Sequence, residues 1–165
     1  MNKISFHEIE ARAYESPKKQ FATIERSVTK ALDLRNDRTN RPFEMEHVTV
    51  PPGKKAHTYH AHGTQWELYW IIKGSARMRF AEGFVELEAG DAVQCPPGVA
   101  HQLLNAGDSE LEYWIISSNP DFETCYYPDS DKVSVHPSFH ANKEGLTRWT
   151  RVSAGGTDDY WQGEE

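Results

Sequence analysis

Short strand-like runs separated by turn residues are the feature that most constrains the fold of this chain. Between Phe43 and Ile116, the sequence repeatedly places a run of alternating or apolar residues before a turn signal such as Pro-Pro-Gly, Lys-Gly or Asn-Ala-Gly-Asp. The runs are Phe43–Val50, Glu67–Ile72, Ala76–Phe80, Phe84–Leu87, Ala92–Cys95, His101–Leu104 and Leu111–Ile116. Turn signals about 8 to 12 residues apart, with no helix-length pattern between them, predict an all-β sandwich or barrel.

The residues on either side of this segment lack its regular succession of strand-like runs. The 165 residues therefore divide into three parts of one domain. We predict an N-terminal extension over 1–42 that packs on the barrel, a barrel core over 43–116 and a C-terminal clasp over 117–165. Within the first part, Thr29–Leu34 predicts a helical turn and Arg35–Pro42 a loop.

The C-terminal part is polar, yet it contains three large aromatic residues, Trp149, Tyr160 and Trp161. Burial of aromatic side chains stabilises a folded protein, so three of them are not expected on a free tail. We therefore expect this part to dock on the barrel or on a second subunit.

Charge and hydropathy exclude several classes of protein. The net charge of −7 argues against nucleic-acid binding, which depends on a basic face. The longest apolar run, Leu68–Ile72, is far shorter than the roughly 20 residues of a membrane span, and the N-terminus has no apolar signal segment. With two cysteines and no need for a disulfide, the expected location is the reducing cytoplasm.

The distribution of histidines is the first indication of a functional site, because four of the eight fall between His47 and His62. On an extended segment, His60 and His62 point to the same side, and a short turn could bring Glu67 beside them. His101 heads a later strand. Three imidazoles and one carboxylate suit one divalent ion of Zn, Mn, Fe(II), Ni or Co.

The spacing of glycine and proline residues around these four residues favours a metal site. The pattern consists of Gly53, His60, His62, Glu67, Gly74, Gly90, Pro96, Gly98, His101 and Asn105. It resembles the two motifs of the cupins, which are small jelly-roll β-barrels. The second motif matches at every position, whereas six residues rather than five separate Gly53 from His60 in the first.

This resemblance implies a double-stranded β-helix in which His60, His62, Glu67 and His101 bind the metal. It also implies a homodimer formed through the barrel sheets, for which Leu68, Trp70 and Ile72 with Trp114 and Ile116 offer an outward surface. Segments of the C-terminal part are similar to those of small bacterial cupins that are sometimes described as sugar-phosphate isomerases.

Several further residues are candidates for the site or its surroundings. Tyr69 shares a face with Glu67, so it is either a catalytic phenol near the ion or a core tyrosine. The general base stays open between Tyr69 and a metal-bound hydroxide. Gln65 and Gln102 are possible polar contacts to substrate. By strand alternation from His60, His57 is predicted to lie on the opposite face, at the rim or surface.

Two arginines could bind an anionic substrate, since Arg77 and Arg79 point to the same side of their strand. If that side is the barrel mouth, the paired guanidinium groups could hold a phosphate or carboxylate; otherwise they are solvated. Cys95 lies close to Pro96 in the second motif and could approach the pocket. Cys125 has no motif context.

Three functions therefore compete for this sequence. The first is an isomerase that acts on a sugar phosphate or similar small polar substrate by metal Lewis-acid catalysis. The second is a metal-dependent dioxygenase of a small organic molecule. The third is a cupin that binds a small ligand without catalysis.

Overall fold

The computed structural model describes residues 3–32, 42–137, 148–151, 155–156 and 159–165. A short 3-10 turn covers Phe6–Glu8, and the one α-helix among these residues is Val28–Leu32. The strands in chain order are β1 (Arg12–Glu15), β2 (Ala22–Ser27), β3 (Phe43–Val50), β4 (Ala61–His62), β5 (Glu67–Lys73), β6 (Ser75–Phe80), β7 (Gly83–Glu88), β8 (Ala92–Cys95), β9 (Gln102–Asn105), β10 (Leu111–Ser118), β11 (Phe122–Tyr127), β12 (Lys132–Pro137), β13 (Arg148–Arg151) and β14 (Gly155–Gly156).

Three antiparallel sheets enclose the core. The largest has the order β1-β2-β3-β10-β5-β8, a second has the order β14-β13-β12-β11-β4, and a three-stranded sheet has the order β7-β6-β9. Apolar side chains of the first and third sheets meet in one cluster, in which Tyr69 and Ile71 from β5 pack with Met78 from β6 and Leu103 from β9. The predicted all-β jelly-roll fold is confirmed.

Each of the seven strand-like runs forms a strand, with ends that shift by at most two residues. The turns between them need glycine where the backbone becomes left-handed. Gly74 has a φ of 83°, and a Cβ atom there would lie 2.7 Å from the carbonyl oxygen of Glu110. Only glycine fits this turn between β5 and β6 without strain.

The N-terminal part contributes strands that the sequence analysis did not predict. β2 pairs with β3, placing Ile24 opposite Thr49, and β1 extends the same sheet outward. Phe21 at the start of β2 is buried. Charged residues interrupt the alternation in this part of the sequence, so its strand character comes from pairing with β3. The predicted helical turn is present as Val28–Leu32.

The C-terminal part crosses the barrel and returns to it. β11 pairs with β4, and the last residues of the chain contact residues from several other parts of it. The Tyr160 hydroxyl lies 2.9 Å from the Thr58 hydroxyl, and the Trp161 ring packs 5.1 Å from the Phe21 ring. The ammonium group of Lys132, which is fully buried, lies 3.1 Å from the Glu164 carboxylate.

A few predictions fall on residues that are not described. The loop over 35–41, the side chains of Trp149 and His136, and His140 lie outside the described part of the chain. Within the described ranges, no helix is long and apolar enough to cross a membrane.

Candidate metal centre

Backbone pairing places two of the histidines side by side. The amide of His60 donates to the carbonyl oxygen of His101 at 3.1 Å, and the amide of His101 donates to the carbonyl oxygen of His60 at 2.8 Å. His62 follows in β4, and Glu67 is the first residue of β5. The barrel thus brings together residues that are 41 positions apart in the chain, because two short extended segments meet as a bridge.

The side chains of these four residues face one another around the Glu67 carboxylate. The Nε2 atom of His60 lies 3.1 Å from the Nε2 atom of His62, and the Nε2 atom of His101 lies 2.7 Å from Oε2 of Glu67. Oε1 of Glu67 is 3.4 Å from Nε2 of His62. His101 is the most buried of the four, whereas the His62 side chain, at 13% exposure, is the most accessible. A small molecule would therefore approach from the His62 side.

The opposite nitrogen of each ring is turned toward an acceptor. Nδ1 of His60 donates to the carbonyl oxygen of Thr58 at 2.9 Å, and Nδ1 of His101 donates to that of Val99 at 3.0 Å. Nδ1 of His62 lies 3.4 Å from the Glu123 carboxylate. Such contacts fix the tautomer and orientation of metal-binding histidines. All three Nε2 atoms are thereby available to an ion.

Charges within the cluster are strongly coupled. Burial raises the pKa of Glu67, but hydrogen bonds from His101 and His62 outweigh it and hold that pKa well below its usual range. Burial lowers the pKa of His62, whereas the nearby Glu123 and Glu67 carboxylates, each 3.4 Å from a ring nitrogen, raise it to about 9. For His60, burial together with the neighbouring His57 lowers the pKa well below its usual value. The Glu67 carboxylate is therefore ionised, and protons on the neighbouring histidines balance its negative charge. A bound cation can replace these protons.

The residues present fit a divalent ion. His60, Glu67 and His101 offer ligand atoms that all lie within 4.8 Å of one another, and so do His60, His62 and Cys125. One carboxylate oxygen and several neutral imidazole nitrogens form a mixed donor set of the kind that binds Mn, Fe(II), Co, Ni or Zn.

Tyr69, the candidate catalytic residue, has its hydroxyl at this cluster. The hydroxyl donates to Oε2 of Glu67 at 2.8 Å and lies 3.2 Å from Nε2 of His101. Burial and the Glu67 carboxylate raise its pKa well above 10, so the phenol stays protonated. It is placed to donate a hydrogen bond rather than to accept a proton.

The prediction for His57 was wrong. Its Nε2 atom accepts a hydrogen bond from the amide of Leu103 and lies 3.3 Å from the Tyr69 hydroxyl, and its ring packs edge-on against His60 at 4.8 Å. The chain from His57 to His60 is not a regular strand, so strand alternation did not apply to it. His57 supports the ligands from behind instead of facing solvent.

The sequence analysis also missed β11, which forms one wall of the cluster. Its inward residues are Glu123, Cys125 and Tyr127, and all three are buried. Glu123 contacts His62, and the Tyr127 ring stacks on the His60 ring at 6.1 Å. The period-two alternation of these residues was the available signal, although nothing in the sequence indicated which strand they would join.

The two glutamines bind backbone at the edge of the cluster. Nε2 of Gln65 donates to the carbonyl oxygen of Ser118 at 2.6 Å, and Nε2 of Gln102 donates to that of His57 at 3.0 Å. Both side chains are buried and hold loops around the site. Their role as substrate contacts stays a prediction.

The structure does not bring Arg77 and Arg79 to the cluster, and their binding of an anionic substrate stays a prediction. Both arginines lie on the outer face of β6, because its alternate residues Ala76 and Met78 fill the core. Arg77 pairs with Glu86 at 2.6 Å. Arg79 donates twice to Asp129, at 2.7 and 2.9 Å. Each guanidinium group already has a carboxylate partner outside the barrel.

Comparison with known proteins agrees with this geometry. Residues 46–117 match the family model described as the cupin domain. No curated protein matches this sequence. Among solved structures, the chain is similar to a cupin-superfamily sugar phosphate isomerase from Silicibacter pomeroyi, with a TM-score of 0.77 and 21% identity over 94% of this chain and 96% of that one.

Two further structures share the fold. A candidate sugar phosphate isomerase from Acidithiobacillus ferrooxidans has a TM-score of 0.76 and 18% identity over 92% of this chain and 90% of that one. A protein from Thermotoga maritima, predicted to be an oxalate decarboxylase, has a TM-score of 0.58 and 17% identity over 72% of this chain and 99% of that one. Residues 46–117 are therefore similar to the cupin domain, and the likeness in fold to the structure from Silicibacter pomeroyi extends over 94% of the chain.

Proposed function

We propose that this chain is a metal-dependent enzyme that isomerises a sugar phosphate or a similar small polar substrate. The observation that carries the proposal is the convergence of the His60, His62 and His101 Nε2 atoms on the Glu67 carboxylate, with each Nδ1 atom turned to an acceptor. One divalent ion held by these residues supplies Lewis acidity toward a carbonyl or hydroxyl oxygen of the substrate.

The chain's own residues complete this chemistry. Glu67 stays ionised, since hydrogen bonds from His101 and His62 hold its pKa low. The Tyr69 phenol lies between Glu67 and His101 and orients the carboxylate by donating a hydrogen bond to it. Its hydroxyl proton stays in the buried site. Substrate would enter beside His62, the most exposed of the four proposed ligands.

The nature of the reaction is supported by the two structural neighbours described as sugar phosphate isomerases, which share this fold over nearly the whole chain. Because Arg77 and Arg79 are paired outside the barrel, they do not support the recognition of a phosphate group. The proposal therefore depends on the metal centre and on a substrate rich in hydroxyl or carbonyl oxygens.

A panel of aldose and ketose phosphates, with the free sugars beside them, tests the proposal by NMR on protein loaded in turn with Mn, Zn, Co, Ni or Fe(II). Interconversion of one pair is expected. It should be lost in His101→Ala and kept in His7→Ala, because His7 is an exposed histidine away from the centre. Oxygen consumption with a small substrate, and no isomerisation, would instead favour a dioxygenase. Ligand binding without turnover would favour a non-catalytic cupin.

We also propose a homodimer formed through the outer face of β5. Leu68, Trp70 and Ile72 are 37%, 52% and 40% exposed there, and β10 adds Trp114 opposite Trp70 and Ile116 opposite Leu68. A contiguous apolar surface of this kind, rare on a monomer, supports self-association.

A further inference from the structure

Cys125 lies against the metal centre although no motif of the sequence includes it. In the pairing of β11 with β4, Cys125 is directly opposite His62, so their side chains share one face of the sheet. The Cys125 side chain is buried. Its Sγ atom and one ring nitrogen each of His60 and His62 all lie within 4.8 Å of one another.

Such separations are within the reach of one ion. Zinc binds imidazole nitrogen at about 2.0 to 2.1 Å and cysteine sulfur at about 2.3 Å. Two ligands on opposite sides of one ion are then about 4.4 Å apart, and neighbouring ligands are closer. His60, His62 and Cys125 therefore form a group that could bind one ion once their ligand atoms move closer together.

The surroundings of Cys125 also favour a role as a ligand. Tyr127, two residues further along β11 and also buried, stacks its ring on the His60 ring. Nε2 of His60 and Nε2 of His62 face each other at 3.1 Å, a separation that requires a proton or a cation between two nitrogen lone pairs. The Cys125 thiol therefore lies beside the space between the two Nε2 atoms, where a positive charge is needed.

The other cysteine is placed differently. Cys95 pairs with Glu67 across β5 and β8, and its thiol contacts His101 rather than the pair formed by His60 and His62. Among the described residues, Cys95 belongs to none of the groups whose ligand atoms lie close enough to share an ion. It is therefore a matched control for Cys125, similarly buried and paired across the sheet with a proposed ligand, Glu67.

We propose that Cys125 is a sulfur ligand of the ion held by His60 and His62, so that the centre takes a thiophilic ion such as Zn²⁺ or Co²⁺ in preference to Mn²⁺. The inference rests on the proposed metal centre. Coordination forms a metal–sulfur bond and breaks the S–H bond, and the proton passes to solvent. Thiolate ligands select zinc over manganese, which carboxylate and water ligands suit better.

Titration of the full-length protein, first stripped of metal, with Co²⁺ tests this directly. A thiolate bound to cobalt gives a near-ultraviolet charge-transfer band, which imidazole and carboxylate ligands alone do not give. We expect the band in the wild type and in Cys95→Ser, and its loss in Cys125→Ser, with one cobalt per chain bound in each case. Zinc affinity should fall by about tenfold or more in Cys125→Ser, while manganese affinity should change by less than about twofold.

X-ray absorption on zinc-loaded wild-type protein needs no variant and should show one sulfur neighbour at about 2.3 Å. The inference is overturned if cobalt binds the wild type without the charge-transfer band, if the band persists in Cys125→Ser, or if Cys95→Ser removes it. In these cases the proposed metal centre survives. Failure of the wild type to bind any of the three metals would overturn the metal centre together with the role of Cys125.

Discussion

The carboxylate of Glu123 lies 3.4 Å from Nδ1 of His62, on the far side of the ring from the Nε2 atom that faces the cluster. The same carboxylate accepts hydrogen bonds from the amide of Gly63 at 2.8 Å and from the Thr64 hydroxyl at 2.6 Å. A strand from the C-terminal part of the chain, β11, therefore lies beside His62 of β4 and orients this proposed metal ligand.

Glu123→Gln should weaken metal binding by about 10- to 100-fold, since it removes the charge that orients the His62 ring. Isothermal titration with zinc measures the change. Glu86→Gln is the matched control, because Glu86 pairs with Arg77 on the exposed face of the barrel. Equal zinc affinity in Glu123→Gln and the wild type would show that Glu123 does not position His62.

His101→Ala should abolish stoichiometric metal binding, because it removes the most buried of the proposed ligands. Elemental analysis of the purified variant, beside wild type and His7→Ala, measures the retained metal. We expect about one ion per chain in the wild type and in His7→Ala. A full complement of metal in His101→Ala would contradict the assigned ligand set.

Metal affinity should fall as the pH is lowered. The pKa values of His62 and His101 are raised to about 9 by their carboxylate and thiol neighbours against the effect of burial, so in neutral solution both rings carry a proton that the ion must displace. Proton release accompanies binding, and the dissociation constant should decrease as pH rises from 6 toward about 9. Zinc titrations across this range measure it. A dissociation constant that does not change with pH would show that no ligand proton is displaced.

Trp161→Ala should destabilise the fold by about 2 kcal/mol, because the indole packs between Phe21 and Tyr14 and attaches the C-terminal residues to the barrel. Urea unfolding measures the change. Trp66→Ala removes an indole that is about half exposed and should change stability by less than about 0.5 kcal/mol. Equal losses in the two variants would contradict the assignment of Trp161 as an anchor.

Trp70→Glu should convert the proposed dimer to a monomer. Two carboxylates brought into an apolar interface are costly to desolvate, and Trp70 is half exposed at the centre of the outward apolar face. Light scattering coupled to size-exclusion chromatography measures the mass of both proteins. Phe84→Glu, on the exposed face of β7, is the control. A wild-type protein that runs as a monomer would rule out the dimer itself.

The strands of the barrel core could be predicted from the sequence because each is short, alternates in polarity and ends at a glycine or proline. Phe43–Val50 and Ala92–Cys95 form strands with the predicted ends. The N-terminal strands could not be predicted in this way. Ala22–Ser27 mixes charged and apolar residues, and its strand geometry depends on hydrogen bonds to β3.

The candidate metal centre also has residues that could be predicted from the sequence and residues that could not. The spacing of glycine and proline resembles the cupin motifs, and that resemblance indicated His60, His62, Glu67 and His101, which the structure brings close together. Local rules misplaced His57, whose segment is irregular, and could not indicate that Arg79 pairs with Asp129, which is 50 residues away. Neither contact has a signal in the neighbouring sequence.

By itself, the sequence determined the succession of short β-strands, since periodicity and turn chemistry are local properties of the chain, and its resemblance to the cupin motifs indicated the four proposed ligands. Only the tertiary structure decided what surrounds those residues. It placed Glu123 and Cys125 beside His62, because β11 pairs with β4 across about 60 residues of intervening chain. Long-range pairing of this kind depends on the closure of the whole barrel, which no short stretch of sequence encodes.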